Sequence, residues 1–333
     1  MSHLANHDVL AIGASAGGFN ALKFLTRELD PDLPAAILVV VHLRSDFQSN
    51  LAELLDRGSS LRVTFAKDGE TIVPRHVYLA PPDRHLLLRE DGTLSLSAGA
   101  RENHSRPAID PLFRSVAVAR GSRAIGLVLT GYLSDGTSGL LAIKAGGGIT
   151  MVQDPADATH PDMPRSAMEA VKPEHVVPLA AMPALLGRLV RSPAGSAVPL
   201  PEEIKLEAKM AANEGTDIVT LDRIGRRTLF VCPECHGNLW EIEESGTARY
   251  RCYTGHAFSA EALDQSFHDD LGRALATALR ALDERARLLR RMEEKAVEDG
   301  RPNLARQWGD RAADFETEAD VVRNTLARST LRD

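Results

Sequence analysis

Unbroken apolar runs limit what this chain can fold into more than any other feature of its sequence. Ala35-Ala-Ile-Leu-Val-Val-Val41 and Ala124-Ile-Gly-Leu-Val-Leu129 are two such runs, and Val9-Leu-Ala-Ile-Gly-Ala14 is a third. A strand with one wet face alternates apolar and polar residues. A run that does not alternate must be covered on both faces, as in a parallel sheet flanked by helices. Ser15 follows the run ending at Ala14, His42 the run ending at Val41, and Asp135 lies a few residues past the run ending at Leu129. The carboxyl ends of strands in an open parallel sheet line one crevice, so these three residues are expected together there.

The segment Val9 to Gly18 reads as strand, sharp turn and helix, with Gly13, Ser15 and Gly17 satisfying G-x-S-x-G. Small neighbours let such a turn close and lift the hydroxyl clear of the sheet, while the amide of Ala16 faces a developing oxyanion. A nucleotide site and a plain structural turn are the competing readings of this segment. A dinucleotide fingerprint would need glycine where Ser15 stands, and a P-loop would need Lys-Ser or Lys-Thr where Phe19-Asn20 stand. A histidine after a strand is ordinarily a turn or core residue, and Asp-Gly an ordinary turn pair. Three chemically matched residues at three strand ends favour a triad: Ser15 as nucleophile, His42 as base, Asp135 as the acid that orients His42. The order Ser, His, Asp differs from that of α/β-hydrolases.

Further blocks share their order and spacing with one family. Ile12-Gly-Ala-Ser15-Ala-Gly-Gly18, Val41-His42, Ala66-Lys-Asp68-Gly69-Glu70 and Tyr78-Leu-Ala-Pro-Pro-Asp83-Arg-His85 come first. Ser105-Arg106-Pro107-Ala-Ile-Asp110, Leu129-Thr-Gly131 to Asp135-Gly136 and Met163-Pro164-Arg165 follow. Over about its first 190 residues the chain resembles the catalytic domain of chemotaxis protein-glutamate methylesterases, the CheB family. The resemblance implies hydrolysis of glutamyl methyl esters on helical chemoreceptor-like proteins with release of methanol, and deamidation of receptor glutamines. It also puts Ser15, His42 and Asp135 on the triad positions. Tyr132 and Leu133 stand where the family has Met and Gly, and the Tyr132 backbone is expected beside Ala16 at the oxyanion site. The first catalytic strand begins near Asp8, so no N-terminal receiver domain, and no control by its phosphorylation, is expected. A non-catalytic signalling adaptor on the same fold, and an esterase or amidase for another substrate, are the alternatives.

A net charge of −7 lacks the basic excess of a nucleic-acid binder, and no apolar stretch approaches membrane-spanning length. A cytoplasmic protein without direct membrane insertion is expected. The three cysteines lie in Cys232-Pro-Glu-Cys235 and Cys252-Tyr-Thr-Gly-His256, a spacing that lets two backbone knuckles converge on a tetrahedral Zn²⁺. Asn238-Leu-Trp-Glu-Ile and Ala248-Arg-Tyr-Arg read as the ribbon strands, with Gly246 in the turn. A redox Cys-x-x-Cys leaves Cys252 and His256 unexplained, and His236 is the competing nitrogen ligand. Four protein ligands leave no open position, so the zinc is structural, and no cofactor is expected for catalysis.

Helices are expected with Leu22, Leu25 and Leu29, and with Leu51, Leu54 and Leu55, on one face. Val77-Tyr-Leu-Ala, Leu86-Leu-Leu and Leu94-Ser-Leu read as a β-rich insert around Asp91-Gly92, and Gly148–Val152 and His175–Leu179 as later strands. Leu271 to Met292 and Leu304 to Leu326 carry four-three apolar stripes, the first broken by Arg285. They pair as an antiparallel hairpin, or serve self-association or partner docking. The expected fold is α/β, a doubly wound, mostly parallel, Rossmann-like methylesterase domain over 1–190. A linker over 191–226 with one short helix near Ile204–Ala212, a zinc-ribbon-like module over 227–262 and a helical hairpin over 263–333 complete it. Because the metal ligands lie far downstream of the triad, removing the metal is expected to leave most hydrolysis intact.

Overall fold

The computed structural model describes residues 5–42, 50–214, 217–244 and 247–329. The turn expected at Gly246 lies outside them. Two compact units divide the chain, Met1–Leu263 and Asp264–Asp333.

The first unit opens with β1 (Val9–Ala14), α1 (Gly18–Glu28), β2 (Ala36–Val41), α2 (Leu51–Asp56), β3 (Arg62–Phe65) and β4 (His76–Leu79). It continues with β5 (His85–Leu88), β6 (Leu94–Ser97), α3 (Ile109–Arg120), β7 (Ala124–Val128) and α4 (Thr137–Ala145). Then come β8 (Ile149–Gln153), α5 (Asp162–Val171), β9 (His175–Val177) and α6 (Met182–Leu189). Seven of these strands form one parallel sheet in the order β3-β4-β2-β1-β7-β8-β9. Both faces are covered. Val9, Ala11, Leu38 and Val40 pack with Phe113 and Leu140, while Leu10, Ile12, Ile37 and Val39 pack with Leu22, Leu25 and Leu186. That arrangement is the physical reason the runs contain no alternating polar residues. The chain leaves β1 toward β2 on one side and β7 toward β8 on the other, so the crevice opens between the ends of β1 and β7.

One strand differs from expectation. Val77-Tyr-Leu-Ala is not part of the insert: β4 lies inside the parallel sheet between β3 and β2, and only β5 and β6 form the antiparallel hairpin around Asp91-Gly92. Tyr78 is fully buried there, with its hydroxyl accepting the amide of Val73 at 3.0 Å, so an aromatic with a polar tip fits a strand covered on both faces.

The segment expected as linker holds two helices, α7 (Glu202–Ala211) and α8 (Ile218–Ile224). They precede an antiparallel sheet of β10 (Arg226–Val231), β11 (Asn238–Glu244), β12 (Thr247–Cys252) and β13 (Ala257–Ser259). This second sheet belongs to the same compact unit as the first. A buried ionic cluster joins them: Glu102 accepts from Arg114 of α3 and, at 2.8 Å, from Arg251 of β12. Glu207 of α7 accepts from Arg249 and, at 3.2 Å, from Arg251. Opposing charges, with each carboxylate shared between two arginines, let these groups leave water, which polar composition alone does not reveal.

The chain ends with α9 (Ala260–Glu298) and α10 (Pro302–Ser329). Ala286, Leu289 and Ala296 of α9 and Ala305, Ala312 and Ala319 of α10 form the buried seam. The seven-residue spacing of small side chains along α10 lets two helices approach closely. Arg290 reaches Glu316 at 2.7 Å and Arg323 reaches Asp283 at 3.2 Å, which sets the helices antiparallel. Arg285, where the stripe is broken, places its guanidinium 4.3 Å from the centre of the Phe315 ring. No helix among the described residues is long and apolar enough to cross a membrane.

Candidate active site

The backbone builds the crevice before any side chain enters it. The Ser15 amide donates to the carbonyl of Thr130 at 3.0 Å, tying the end of β1 to the segment after β7. Gly17 holds φ at +77°, a left-handed conformation that turns the chain into α1 and would strain any other residue. Gly131 lies so close to the turn at Ser15 that a Cβ there would fall 2.7 Å from the Ser15 Cβ. His42 follows β2, its amide donating to Ala14 at 3.3 Å.

Ser15, His42 and Asp135 meet. His42 Nδ1 lies 3.0 Å from Ser15 Oγ and His42 Nε2 lies 2.7 Å from Asp135 Oδ2. An ionised carboxylate can only accept, so Nε2 carries the proton and Nδ1 presents its lone pair to the serine hydroxyl. Asp135 is buried, which alone would push its carboxyl up. The His42 hydrogen bond, the Ile109 amide at 2.7 Å and the Asn103 amide at 3.0 Å outweigh burial and hold it below the usual range.

Asp110 sits beside Asp135, not on His42. Its Oδ1 accepts from the amides of Gly136 at 3.0 Å and Gly139 at 2.7 Å, and its Oδ2 from Asn103 Nδ2 at 3.0 Å. Burial, then the charge of Asp135, pushes its carboxyl up to about 7.

The Ala16 carbonyl accepts from Thr130 Oγ1 at 2.9 Å. No hydrogen bond engages the amide of Ala16 or of Tyr132 among the described residues. The Tyr132 ring lies 4.3 Å from that of His160, centre to centre, and is largely exposed. Sequence reasoning missed Asn103 and Thr130. Asn103 lies two residues before the block Ser105–Asp110 that carried the family resemblance, and Thr130 lies inside another; neither residue type announces a role.

Cys232, Cys235, Cys252 and His256 converge, with one ligand atom from each within 4.8 Å of the others. Cys235 Sγ to Cys252 Sγ is 3.6 Å, Cys252 Sγ to His256 Nδ1 3.5 Å and Cys232 Sγ to His256 Nδ1 3.7 Å. A tetrahedral ion with metal–sulfur bonds of about 2.3 Å needs edges of about 3.8 Å, so the donor set fits such an ion. His236 lies outside the cluster; its amide donates to the Cys232 carbonyl at 2.8 Å. All three cysteines are unpaired by disulfides.

The second sheet reaches Asp135 through one side chain. Ser259 of β13 donates its amide to Asn103 Oδ1 at 2.9 Å, and Asn103 in turn donates to Asp135. The sequence separation from which an independent metal module was expected is therefore not matched in space.

The model of the family described as CheB methylesterase matches residues 10–186. A putative protein-glutamate methylesterase/protein-glutamine glutaminase of Leptospira interrogans is 39% identical over 184 residues, covering 55% of this chain and 95% of that protein. A protein-glutamate methylesterase/protein-glutamine glutaminase of Xanthomonas oryzae pv. oryzae is 41% identical over 174 residues, covering 51% of this chain and 48% of that protein. Among solved structures, the Thermotoga maritima CheB methylesterase catalytic domain is similar with a TM-score of 0.54 and 34% identity, covering 56% of this chain and 100% of that one. The metal-ligand cluster lies outside the residues matched by the family model.

Proposed function

The chain belongs to the CheB methylesterase family, and from that premise we propose that it hydrolyses γ-methyl esters of protein glutamates through Ser15, His42 and Asp135. The observation that carries this reading is the continuous path from Ser15 Oγ through both ring nitrogens of His42 to Asp135 Oδ2. His42 Nδ1 takes the hydroxyl proton as Ser15 Oγ attacks the ester carbonyl, and Asp135 stabilises the imidazolium. The Ala16 amide, with that of Tyr132, receives the oxyanion. His42 returns the proton to the departing methoxide, methanol leaves, and water attacks the acyl-enzyme by the same relay. With a glutamine side chain the leaving group is ammonia, which makes deamidation the companion reaction. The substrate class is a methylated, helical, chemoreceptor-like signalling protein in the cytoplasm.

Cys232, Cys235, Cys252 and His256 would hold a structural Zn²⁺ in a ribbon-like sheet, a reading supported by donor separations close to the edges of a tetrahedral site. When bound, such an ion would cross-link β10–β13, and no step of hydrolysis is assigned to it. Purified protein should carry about one equivalent of zinc, and Cys232→Ser should lose it; metal-free protein with an ordered second sheet would remove the assignment.

The test of the esterase is methanol release from a peptide bearing a γ-methyl glutamate. The wild type should turn over, and Ser15→Ala should be inactive with an unchanged circular dichroism spectrum. A folded wild type that releases no methanol points to an adaptor or to another substrate, and an active Ser15→Ala ends the triad assignment.

A further inference from the structure

Asn103 has every polar group of its side chain committed, and the partners lie in two different sheets' territory. Its Nδ2 gives one hydrogen to Asp135 Oδ1 and the other to Asp110 Oδ2, both at 3.0 Å. Its Oδ1 accepts the amide of Ser259 in β13 at 2.9 Å, and its own amide donates to the Ala257 carbonyl at 2.8 Å. The amide group cannot be turned over. Reversal would aim its oxygen at two carboxylates and its nitrogen at an N–H.

The neighbours of Asn103 are bound to the same part of the molecule. Glu102 holds Arg251 of β12 at 2.8 Å, and His104 Nε2 lies 2.9 Å from the carbonyl of Ala262. Three consecutive residues of the loop before α3 are thus fastened to the second sheet and the start of α9. β13 begins at the residue after His256, and β12 ends at Cys252, so two ligands of the cysteine–histidine cluster flank the turn that presents β13.

We infer that Asn103 is a positioning residue for the proposed hydrolysis: β13 holds its side chain, and its side chain holds Asp135 for His42. Asn103 does not touch the reacting atoms. It acts by holding the far carboxylate oxygen, Oδ1, so that the carboxylate is oriented with Oδ2 toward Nε2, and by separating two buried carboxylates with one donor group. The metal-binding sheet is then a wall of the active site and not a detachable accessory, and the state of the cluster reaches the triad through β13. The inference rests on the proposed esterase reading and deepens it.

Two substitutions separate the ends of the link. Asn103→Gly accepts the left-handed backbone of this position, φ +47°, and deletes the whole side chain. Asn103→Asp keeps an acceptor for Ser259, loses the donors to Asp135 and Asp110, and sets a third carboxyl oxygen against theirs. With γ-methyl glutamate peptide, both should lower kcat by about tenfold to a hundredfold at unchanged KM, the scale seen when an outer partner of a functional ligand is lost. Both should also broaden or remove the downfield proton resonance of His42 Nε2–H, a readout that needs no turnover. Cys252→Ser should lower kcat in the same way, and the Asn103→Gly/Cys252→Ser double variant should be no slower than the slower single, because both act through one route.

Asn103→Asp with wild-type kcat and resonance overturns the positioning role. Multiplying losses in the double variant overturn the route through β13. A wild type that shows the His42 resonance but releases no methanol refutes the esterase reading alone. The resonance in the Asn103 variants then still decides the positioning.

Discussion

Replacing Glu102 by glutamine should destabilise the first unit far more than its modest change in shape suggests. Glu102, Arg114 and Arg251 are 2%, 0% and 1% exposed, and Glu102 gives one carboxylate oxygen to each arginine. Burial would raise the Glu102 carboxyl, yet Arg114 and then Arg251 hold it far below the usual carboxylate range. Glutamine keeps the volume and one acceptor, so no cavity opens, but the cluster becomes three guanidinium groups facing Glu207. Breaking a buried pair by removing one partner costs about 3–5 kcal/mol, because the remaining charge stays out of water. For a unit of this size, that loss is a fall of roughly 10 °C in the melting midpoint. Thermal unfolding followed by far-ultraviolet circular dichroism measures it, with Glu241→Gln as control. The partner of Glu241, Arg226, has a side chain that is 83% exposed, and this surface pair should leave the midpoint unchanged. Equal midpoints for the two variants would refute the reasoning that the buried cluster holds the second sheet to α3.

The other predictions concern pH and the acid of the triad. Arg249, with Arg114 and Arg251, holds Glu207 at about 2 against burial, so its stabilisation is complete above pH of about 4.5 and is lost as pH falls toward 2; Glu207→Gln should flatten that part of an acid titration followed by circular dichroism. Asp110 has the opposite sign: raised to about 7, it favours the folded state below about pH 4 and loses that contribution as pH rises through 7, so Asp110→Asn should lessen the fall in melting midpoint across that window. Asp135→Asn should lower kcat by roughly 10³- to 10⁴-fold without unfolding the chain, as expected when the imidazole loses the carboxylate that sets its tautomer, whereas wild-type kcat in this variant would mean that another group orients His42.

What was legible in the sequence follows from how each group is covered. β1, β2 and β7 bury both faces against helices, and a strand so covered shows itself as an uninterrupted apolar run. Ser15, His42 and Asp135 come together because each follows such a run, where parallel topology alone brings strand ends together. The cysteine–histidine spacing was legible because knuckle geometry is local. β4 was misplaced because a four-residue strand that begins with His76 and carries Tyr78 has no pattern separating it from a hairpin strand.

The residues left unread share one property: each is polar and held by a partner remote in the chain. Glu207, in the segment expected as linker, meets Arg249 and Arg251; Glu102 meets Arg251; Asn103 meets Ser259. A pattern reading assigns such residues to solvent, since charge is ordinarily left in water unless a partner compensates its desolvation. Each of these residues has at least one partner on the second sheet. The polarity that made 191–226 look like a spacer is, at Glu207, the side chain that fastens that sheet to the first unit. Buried pairing also explains why the second sheet and the catalytic crevice share one compact unit, although the ligands of the proposed metal and the triad are distant in sequence. An apolar seam would hold two sheets together equally well. A hydrogen-bonded one also fixes where individual oxygens point, and at Asn103 the oxygen it fixes belongs to Asp135.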